Sequence, residues 1–95
     1  MKLLTKQLLK SFEKIGRQEN TTDPMVVAKF FDPTGSWTWF ATEYDPSTKM
    51  FFGLVHGIEK EWGPFGLEEL ENLTLPFGLG IERDIYFDAC RASEL

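Results

Sequence analysis

Two Asp-Pro turns in the middle of the chain constrain its fold more than any other feature. "DPTG" (32–35) and "DPST" (45–48) separate three runs, "MVVAKFF", "SWTWFATEY" and "KMFFGLVHG", that are rich in β-branched and aromatic residues. Proline presets φ at the second position of a type I turn, and the aspartate side chain bonds back to the turn backbone. The pattern therefore predicts three antiparallel strands connected in order as a meander.

Helices are predicted on both sides of these strands. In "LTKQLLKSFEKIG", apolar residues recur at helical spacing, Thr5 is a natural N-cap and Gly16 can adopt the left-handed conformation that ends a helix. "GLEELENL" predicts a short acidic helix with Leu67, Leu70 and Leu73 facing inward. "IERDIYFD" is typical of a fourth strand at a sheet edge, and the final "ACRASEL" is predicted to be loose.

These elements predict one α+β domain over residues 1–95, a length that suits a single small core. We expect a twisted, mainly antiparallel meander sheet of three to four strands. An N-terminal helix and a second short helix are expected to pack on one face of this sheet.

The register of the predicted hairpins decides which side chains share a face. Four-residue loops would pair Phe31 with Ser36 and Tyr44 with Lys49. One face then collects Val26, Ala28, Phe30, Trp37, Trp39, Ala41, Glu43, Met50, Phe52, Leu54 and His56. The other collects Val27, Lys29, Phe31, Ser36, Thr38, Phe40, Thr42, Tyr44, Lys49, Phe51, Gly53 and Val55. The first set is almost wholly apolar, so we expect the tryptophan face to form the core.

The second face supplies a candidate partner-binding surface, because aromatic side chains remain there among threonines and lysines. Its candidate contact residues are Phe31, Phe40, Tyr44, Phe51 and Lys29. The alternative is that the C-terminal segment covers this face within the same chain.

Charge suggests a second candidate surface. The net charge is −5, and the densest acidic cluster consists of Glu59, Glu61, Glu68, Glu69 and Glu71. Such a cluster could mimic the phosphate backbone of DNA, although −5 is mild for that role. Direct nucleic-acid binding normally needs a basic footprint, which an acidic chain argues against without excluding it.

Catalytic and metal-binding motifs are sparse, so we expect no metal site or cofactor and favour a non-enzymatic protein over an enzyme. His56 is the sole histidine, no nucleophile-elbow pattern is present, and Cys90 is the sole cysteine. Glu82 and Asp84 could supply paired carboxylates, but a local ion pair or turn-stabilising network with Arg83 is the favoured explanation. A small hydrolase therefore remains a third hypothesis for the function.

The sequence has no apolar run of signal-peptide or membrane-spanning length, and one cysteine cannot form an internal disulfide. We therefore expect a cytoplasmic protein without a membrane partner.

Three segments together resemble a known family: "SWTWFATE", "FFGLVHGIEKEWGPFGLEELE" and "GLGIERDIYF". With the opening "MKLLTKQLLK" and the run "QENTTDPMVVAKFFDP", nearly the whole chain is similar to a small bacterial family of unknown function that carries the catalogue number 2958. The resemblance implies an accessory role on plasmids, phages and integrative elements, and it supplies no catalytic residues. The leading expectation is a non-enzymatic accessory protein that binds another macromolecule, most readily a protein; the alternative is an acidic DNA mimic or nucleic-acid-associated anti-defence factor.

Overall fold

The structure, a computed structural model, describes residues 2–95. The elements are α1 (Lys6–Ile15), β1 (Met25–Val26), β2 (Ala28–Phe31), β3 (Thr38–Asp45), β4 (Met50–His56), β5 (Lys60–Gly66), α2 (Leu67–Glu71), β6 (Glu82–Arg83) and β7 (Cys90–Arg91), with 3₁₀ turns at Pro76–Gly78 and Ala92–Glu94. An antiparallel five-stranded sheet has the order β5-β4-β3-β2-β6, and β1 pairs with β7 separately. The predicted α+β class is confirmed.

Helix α1 begins and ends at the predicted residues. The Thr5 hydroxyl accepts a hydrogen bond from the Leu8 N–H at 3.1 Å, which satisfies one of the unpaired donors at the helix start. Gly16 takes φ of 70° and donates its N–H to the Phe12 carbonyl at 2.8 Å. Phe12 is buried against the sheet, so α1 covers one of the two sheet faces.

We call the covered side the inner face and the opposite side the outer face. The core lies between the inner face, α1, α2 and the segment that precedes β6. It comprises Leu3, Phe12, Val27, Ala28, Phe30, Trp39, Ala41, Phe51, Phe65, Leu70 and Ile81. Trp39 is buried as predicted, whereas Trp37 directly follows the first turn, stacks on Trp39 with ring centroids 6.0 Å apart and is 43% exposed.

Both hairpin loops contain four residues, but each begins one residue later than predicted. Asp32 still pairs across the ladder, donating its N–H to the Trp37 carbonyl at 3.0 Å, and Asp45 pairs with Met50. The Asp32 carboxylate accepts the Thr34 N–H at 2.7 Å, so each aspartate is the first residue of its turn rather than part of the loop. The predicted pairs Phe31–Ser36 and Tyr44–Lys49 are therefore wrong, and the observed pairs are Phe31–Thr38 and Tyr44–Phe51.

A β-bulge at Thr42 has the larger effect on the predicted faces. Ala41 pairs with Gly53 and the next pair is Glu43 with Phe52, which leaves Thr42 without a partner position in β4. Because of this extra residue, the side chains of β3 that follow it point to the opposite face of the sheet from the one that a regular ladder would give them. As a result, the face predicted for the side chains of β4 was wrong, and Phe52 lies on the outer face.

Strand β5 was not predicted, because its Gly63-Pro64 pair is typical of a loop. The Leu67 N–H donates to the Lys49 carbonyl at 3.0 Å, so residues 61, 63 and 65 make the ladder hydrogen bonds to β4. The backbone N–H and C=O groups at the free edge of β5 consequently belong to residues 60, 62, 64 and 66. Pro64 lacks an N–H at that edge, which interrupts the row of donors that a further strand would need.

The predictions for two later segments were wrong. Helix α2 ends at Glu71, so Leu73 lies outside the helix and is 41% exposed. The C-terminal segment is anchored, because β7 pairs with β1 and the Asp23 carboxylate accepts the Ser93 N–H at 2.9 Å and its hydroxyl at 2.6 Å. These hydrogen bonds lower the pKa of Asp23 below its usual value.

Candidate functional site

The bulge is held by a buried glutamine from the segment after α1. Gln18 is 8% exposed, and its Nε2 donates to the Met25 carbonyl at 2.9 Å and to the Thr42 carbonyl at 2.8 Å. Its Oε1 accepts the Met25 N–H at 2.7 Å. The Thr42 hydroxyl in turn donates to the Phe52 carbonyl at 3.1 Å. The buried polar groups at the bulge are thus paired, as burial requires.

Removing the Gln18 amide should therefore be costly. We expect Gln18→Ala to lower the free energy of unfolding by about 2–4 kcal/mol, because Met25 and Thr42 would keep buried backbone groups without partners. Urea unfolding followed by tryptophan fluorescence measures the change. Glu19→Ala is the matched control: Glu19 makes an exposed ion pair with Arg17 and should contribute less than about 0.5 kcal/mol. A loss below about 1 kcal/mol for Gln18→Ala would contradict this role of the amide.

Across the bulge, the outer face of β4 and β5 presents a pair of stacked aromatic rings. The Phe52 and Trp62 ring centroids lie 6.4 Å apart with an interplanar angle of 19°. Phe52 is 40% exposed and Trp62 is 48% exposed, and the neighbouring Met50 is also exposed. Pro64 lies directly opposite Phe52 in the ladder. These four side chains, which we call the aromatic patch, form an apolar surface open to solvent.

The other half of the outer face is partly covered. The Lys29 ammonium lies 5.9 Å from the Phe40 ring centroid and 3.5 Å from an Asp84 carboxylate oxygen. Phe87 packs against Phe40 with ring centroids 6.3 Å apart. The predicted alternative, cover by the C-terminal segment, therefore applies to this half of the face and not to the aromatic patch.

A groove joins the aromatic patch to the segment that follows α1. Its volume is about 1020 Å³, and it runs from residues 16–24, past residues 42–46 of β3 and its turn, to Trp62 and Pro64. The charged side chains that line the groove are mostly acidic: four are carboxylates and one is a guanidinium. The carboxylates are Glu13, Glu19, Glu43 and Asp45, and the guanidinium is Arg17.

Two groups in the groove have shifted pKa values. Hydrogen bonds from the hydroxyl and N–H of Ser47 lower the pKa of Asp45, which keeps this carboxylate ionised in mildly acidic solution. Burial raises the pKa of the Tyr44 phenol, so Tyr44 remains a neutral hydroxyl above the pH at which a free phenol ionises. The groove therefore combines an apolar floor, a negative rim and a hydroxyl.

The structure separates the five predicted partner-binding residues. Phe51 is 1% exposed and lies in the core, with ring centroids 4.8 Å from Tyr44 and 5.8 Å from Phe12. Tyr44 is half-buried on the inner side of the same ladder. Phe31, Phe40 and Lys29 lie on the outer face as predicted, each partly buried, in its covered half.

The five acidic residues are all exposed but do not form one cluster. Glu59 and Glu61 lie at the start of β5, whereas Glu68, Glu69 and Glu71 lie in α2 after its end. A seven-residue strand spans about 20 Å. In addition, Glu68 pairs with Lys49 at 2.9 Å and Glu71 accepts the Leu3 N–H at 3.3 Å. The negative charge is therefore divided between two ends of the sheet.

The residues considered for catalysis lie in different elements. His56 is exposed at the end of β4, Glu82 lies in the edge strand β6, which β3 and β2 separate from β4, and Cys90 belongs to the separate two-stranded sheet. Burial raises the pKa of the Cys90 thiol, which disfavours the reactive thiolate. Within residues 2–95, no group of three or more His, Cys, Asp or Glu side chains is arranged to hold a metal ion.

Sequence reasoning missed the aromatic patch because it missed both the bulge and β5. The signal was present in "KEWGPFG": Trp62 and Pro64 alternate with Phe65 and Gly63 about the strand, as in a half-buried edge strand. Phe52 was assigned to the core only because a regular ladder was assumed.

Comparison with known proteins identifies one family. A family model described as "Protein of unknown function (DUF2958)" matches residues 2–93. No curated protein and no solved structure matches the chain. Over residues 2–95, none of the helices is both long and apolar enough to cross a bilayer.

Proposed function

The chain belongs to the DUF2958 family of unknown function, and we propose that it is a non-enzymatic accessory protein that binds another protein through the aromatic patch on the outer face. The observation that carries this proposal is the exposed Phe52–Trp62 stack. Large rings are normally buried in a small domain, because each removes much apolar area from water. Two neighbouring rings left open to solvent favour an interaction surface.

The composition of the patch supports a protein as the partner. Tryptophan, phenylalanine and methionine are enriched in protein–protein interfaces, and tryptophan is prominent among the residues that contribute most binding energy. Met50, Phe52 and Trp62 are all present here, on two paired strands that form a rigid platform. Charged side chains at the border of the patch supply the polar rim that such interfaces have.

The alternative functions receive less support. A DNA mimic needs dense negative charge along one surface, whereas the predicted carboxylates lie at two ends of β5 and two of them already have partners. A nucleic-acid-associated role would use the rings as a stacking platform, but the adjacent groove is negative. A hydrolase would require His56, Glu82 or Cys90 to act far from one another in the fold.

The cellular setting is part of the same proposal. We propose that the protein acts in the bacterial cytoplasm as an accessory factor of plasmids, phages or integrative elements. This setting rests on the family resemblance described above.

The proposal is tested by capture of partners from a bacterial host lysate with wild-type protein, Trp62→Asp and Phe77→Asp. Phe77 is a matched control, since it is 96% exposed but lies in the loop after α2. We expect at least one protein to be retained by the wild type and Phe77→Asp, and to lose about tenfold or more of its enrichment with Trp62→Asp. Circular dichroism must show that all three proteins are folded. An unchanged set of captured proteins with folded Trp62→Asp would contradict the proposal.

A further inference from the structure

We propose that the groove beside the aromatic patch binds a basic, linear segment of the partner, with a lysine or arginine side chain between the Glu43 carboxylate and the Phe52–Trp62 stack. This inference rests on the proposed function, because it specifies the chemistry of the protein that binds there.

The position of Glu43 is the first argument. Glu43 is directly opposite Phe52 in the ladder, so its side chain lies beside the Phe52 ring, one member of the aromatic pair, on the outer face. It is half-buried, and within residues 2–95 no ion pair involves its carboxylate. A partly desolvated carboxylate beside exposed rings favours a cation, which the carboxylate and the ring faces attract together.

The charge of the whole groove is the second argument. Arg17 is the guanidinium in the lining, and it is paired with Glu19 at 3.1 Å. The nearby Lys49 ammonium is paired with Glu68 at 2.9 Å. Neither cation neutralises Glu43, Glu13 or Asp45. The groove therefore attracts a partner of positive charge and repels one of negative charge.

The free edge of β5 limits how the partner can lie. Strand addition to this edge would need an N–H from residue 64, and Pro64 has none. The missing donor disfavours strand addition, so we expect a segment that binds here to lie along the groove and over the side chains of the patch. The groove volume of about 1020 Å³ is at the upper end of small-molecule sites, which leaves room for several residues of a linear segment.

The test uses two short monomeric peptides as probes. The first alternates lysine with leucine and carries one central proline to prevent aggregation; the second has glutamate in place of every lysine. Binding is followed by NMR, with the Trp62 indole signal assigned from Trp62→Phe. We expect the lysine peptide to bind about tenfold or more tightly than the glutamate peptide, to shift the Trp62 indole signal, and to weaken between about 0.05 and 0.5 M salt.

Two charge-matched variants localise the effect. Glu43→Gln should weaken binding of the lysine peptide about fivefold to tenfold, because it removes the partly buried carboxylate. Glu59→Gln removes the same charge from an exposed position at the far end of β5 and should change the affinity less than twofold. Equal effects of the two variants would overturn the inference, because only nonspecific attraction would remain.

The remaining outcomes separate this inference from the proposed function. Tighter binding of the glutamate peptide at Trp62, or equal binding of both, would overturn the basic segment but leave a protein-binding patch. Absence of binding by both peptides at millimolar concentration would likewise overturn it, whereas loss of captured partners with Trp62→Asp would still support the proposed function. If Trp62→Asp captured the same partners as the wild type, both the basic-segment inference and the proposed function would be contradicted.

Discussion

Replacing Gly53 with alanine should destabilise the protein by about 3 kcal/mol or more, because the new methyl group would collide with the backbone of the next strand. A Cβ at Gly53 would lie 1.9 Å from the Phe40 carbonyl oxygen and 3.0 Å from the Ala41 Cα. Neither atom can move without separating β3 from β4 beside the bulge. For a domain of this size, thermal unfolding should shift downward by about 15 °C.

Gly63 provides a control within the same cross-strand pair. It is directly opposite Gly53, and a Cβ there would meet nothing within 4 Å. We expect Gly63→Ala to change the free energy of unfolding by less than about 1 kcal/mol. Similar losses for the two variants would show that a general effect of glycine replacement, and not the contact with Phe40, sets the stability.

The neighbouring phenylalanines of β4 should respond very differently to truncation. Phe51→Ala should cost about 3–5 kcal/mol, because Phe51 is 1% exposed and packs against the rings of Phe12, Phe30, Tyr44 and Phe65. Phe52→Ala removes a 40% exposed ring from the outer face and should cost less than about 1.5 kcal/mol. Chemical denaturation of the two variants measures both values.

If Phe51→Ala does not fold, Phe51→Leu provides a graded version of the same change. It keeps most of the buried volume and should still destabilise more than Phe52→Leu. If Phe52→Leu destabilised the protein more than Phe51→Leu, β3 and β4 would have the regular ladder predicted from sequence, with Phe52 in the core. The pair of measurements therefore tests the position of the bulge as well as the packing.

Local signals were sufficient for much of the architecture. Thr5 and Gly16 define the ends of α1, and the paired Asp-Pro turns define the meander. The inner positions of β2 and β3 before the bulge, including Phe30 and Trp39, were also predictable, since moving both ends of a hairpin by one residue preserves its faces. In each of these cases the determining interactions lie within a few residues along the chain.

The candidate site was less predictable because its determinants are distant in sequence. The bulge at Thr42 is stabilised by Gln18, which is 24 residues away, and nothing in "FATEY" itself marks an extra residue. One unrecognised bulge was enough to exchange Phe51 and Phe52 between the core and the candidate surface. The C-terminal segment was misjudged for the same reason, since Ser93 is fixed by Asp23, 70 residues earlier.

The bulge also determines where β3 can change its length. Ala41 and Glu43 already occupy consecutive ladder positions on opposite faces, so a chain without Thr42 would pair regularly and keep the other side chains of the strand on their present sides. Loss of any other residue of β3, with the bulge kept, would move the side chains on one side of the deletion to the opposite face of the sheet. A deletion at Thr42 therefore preserves the two faces of β3, which a deletion elsewhere in the strand would not, and its expected cost is the loss of the buried hydrogen bond from Gln18.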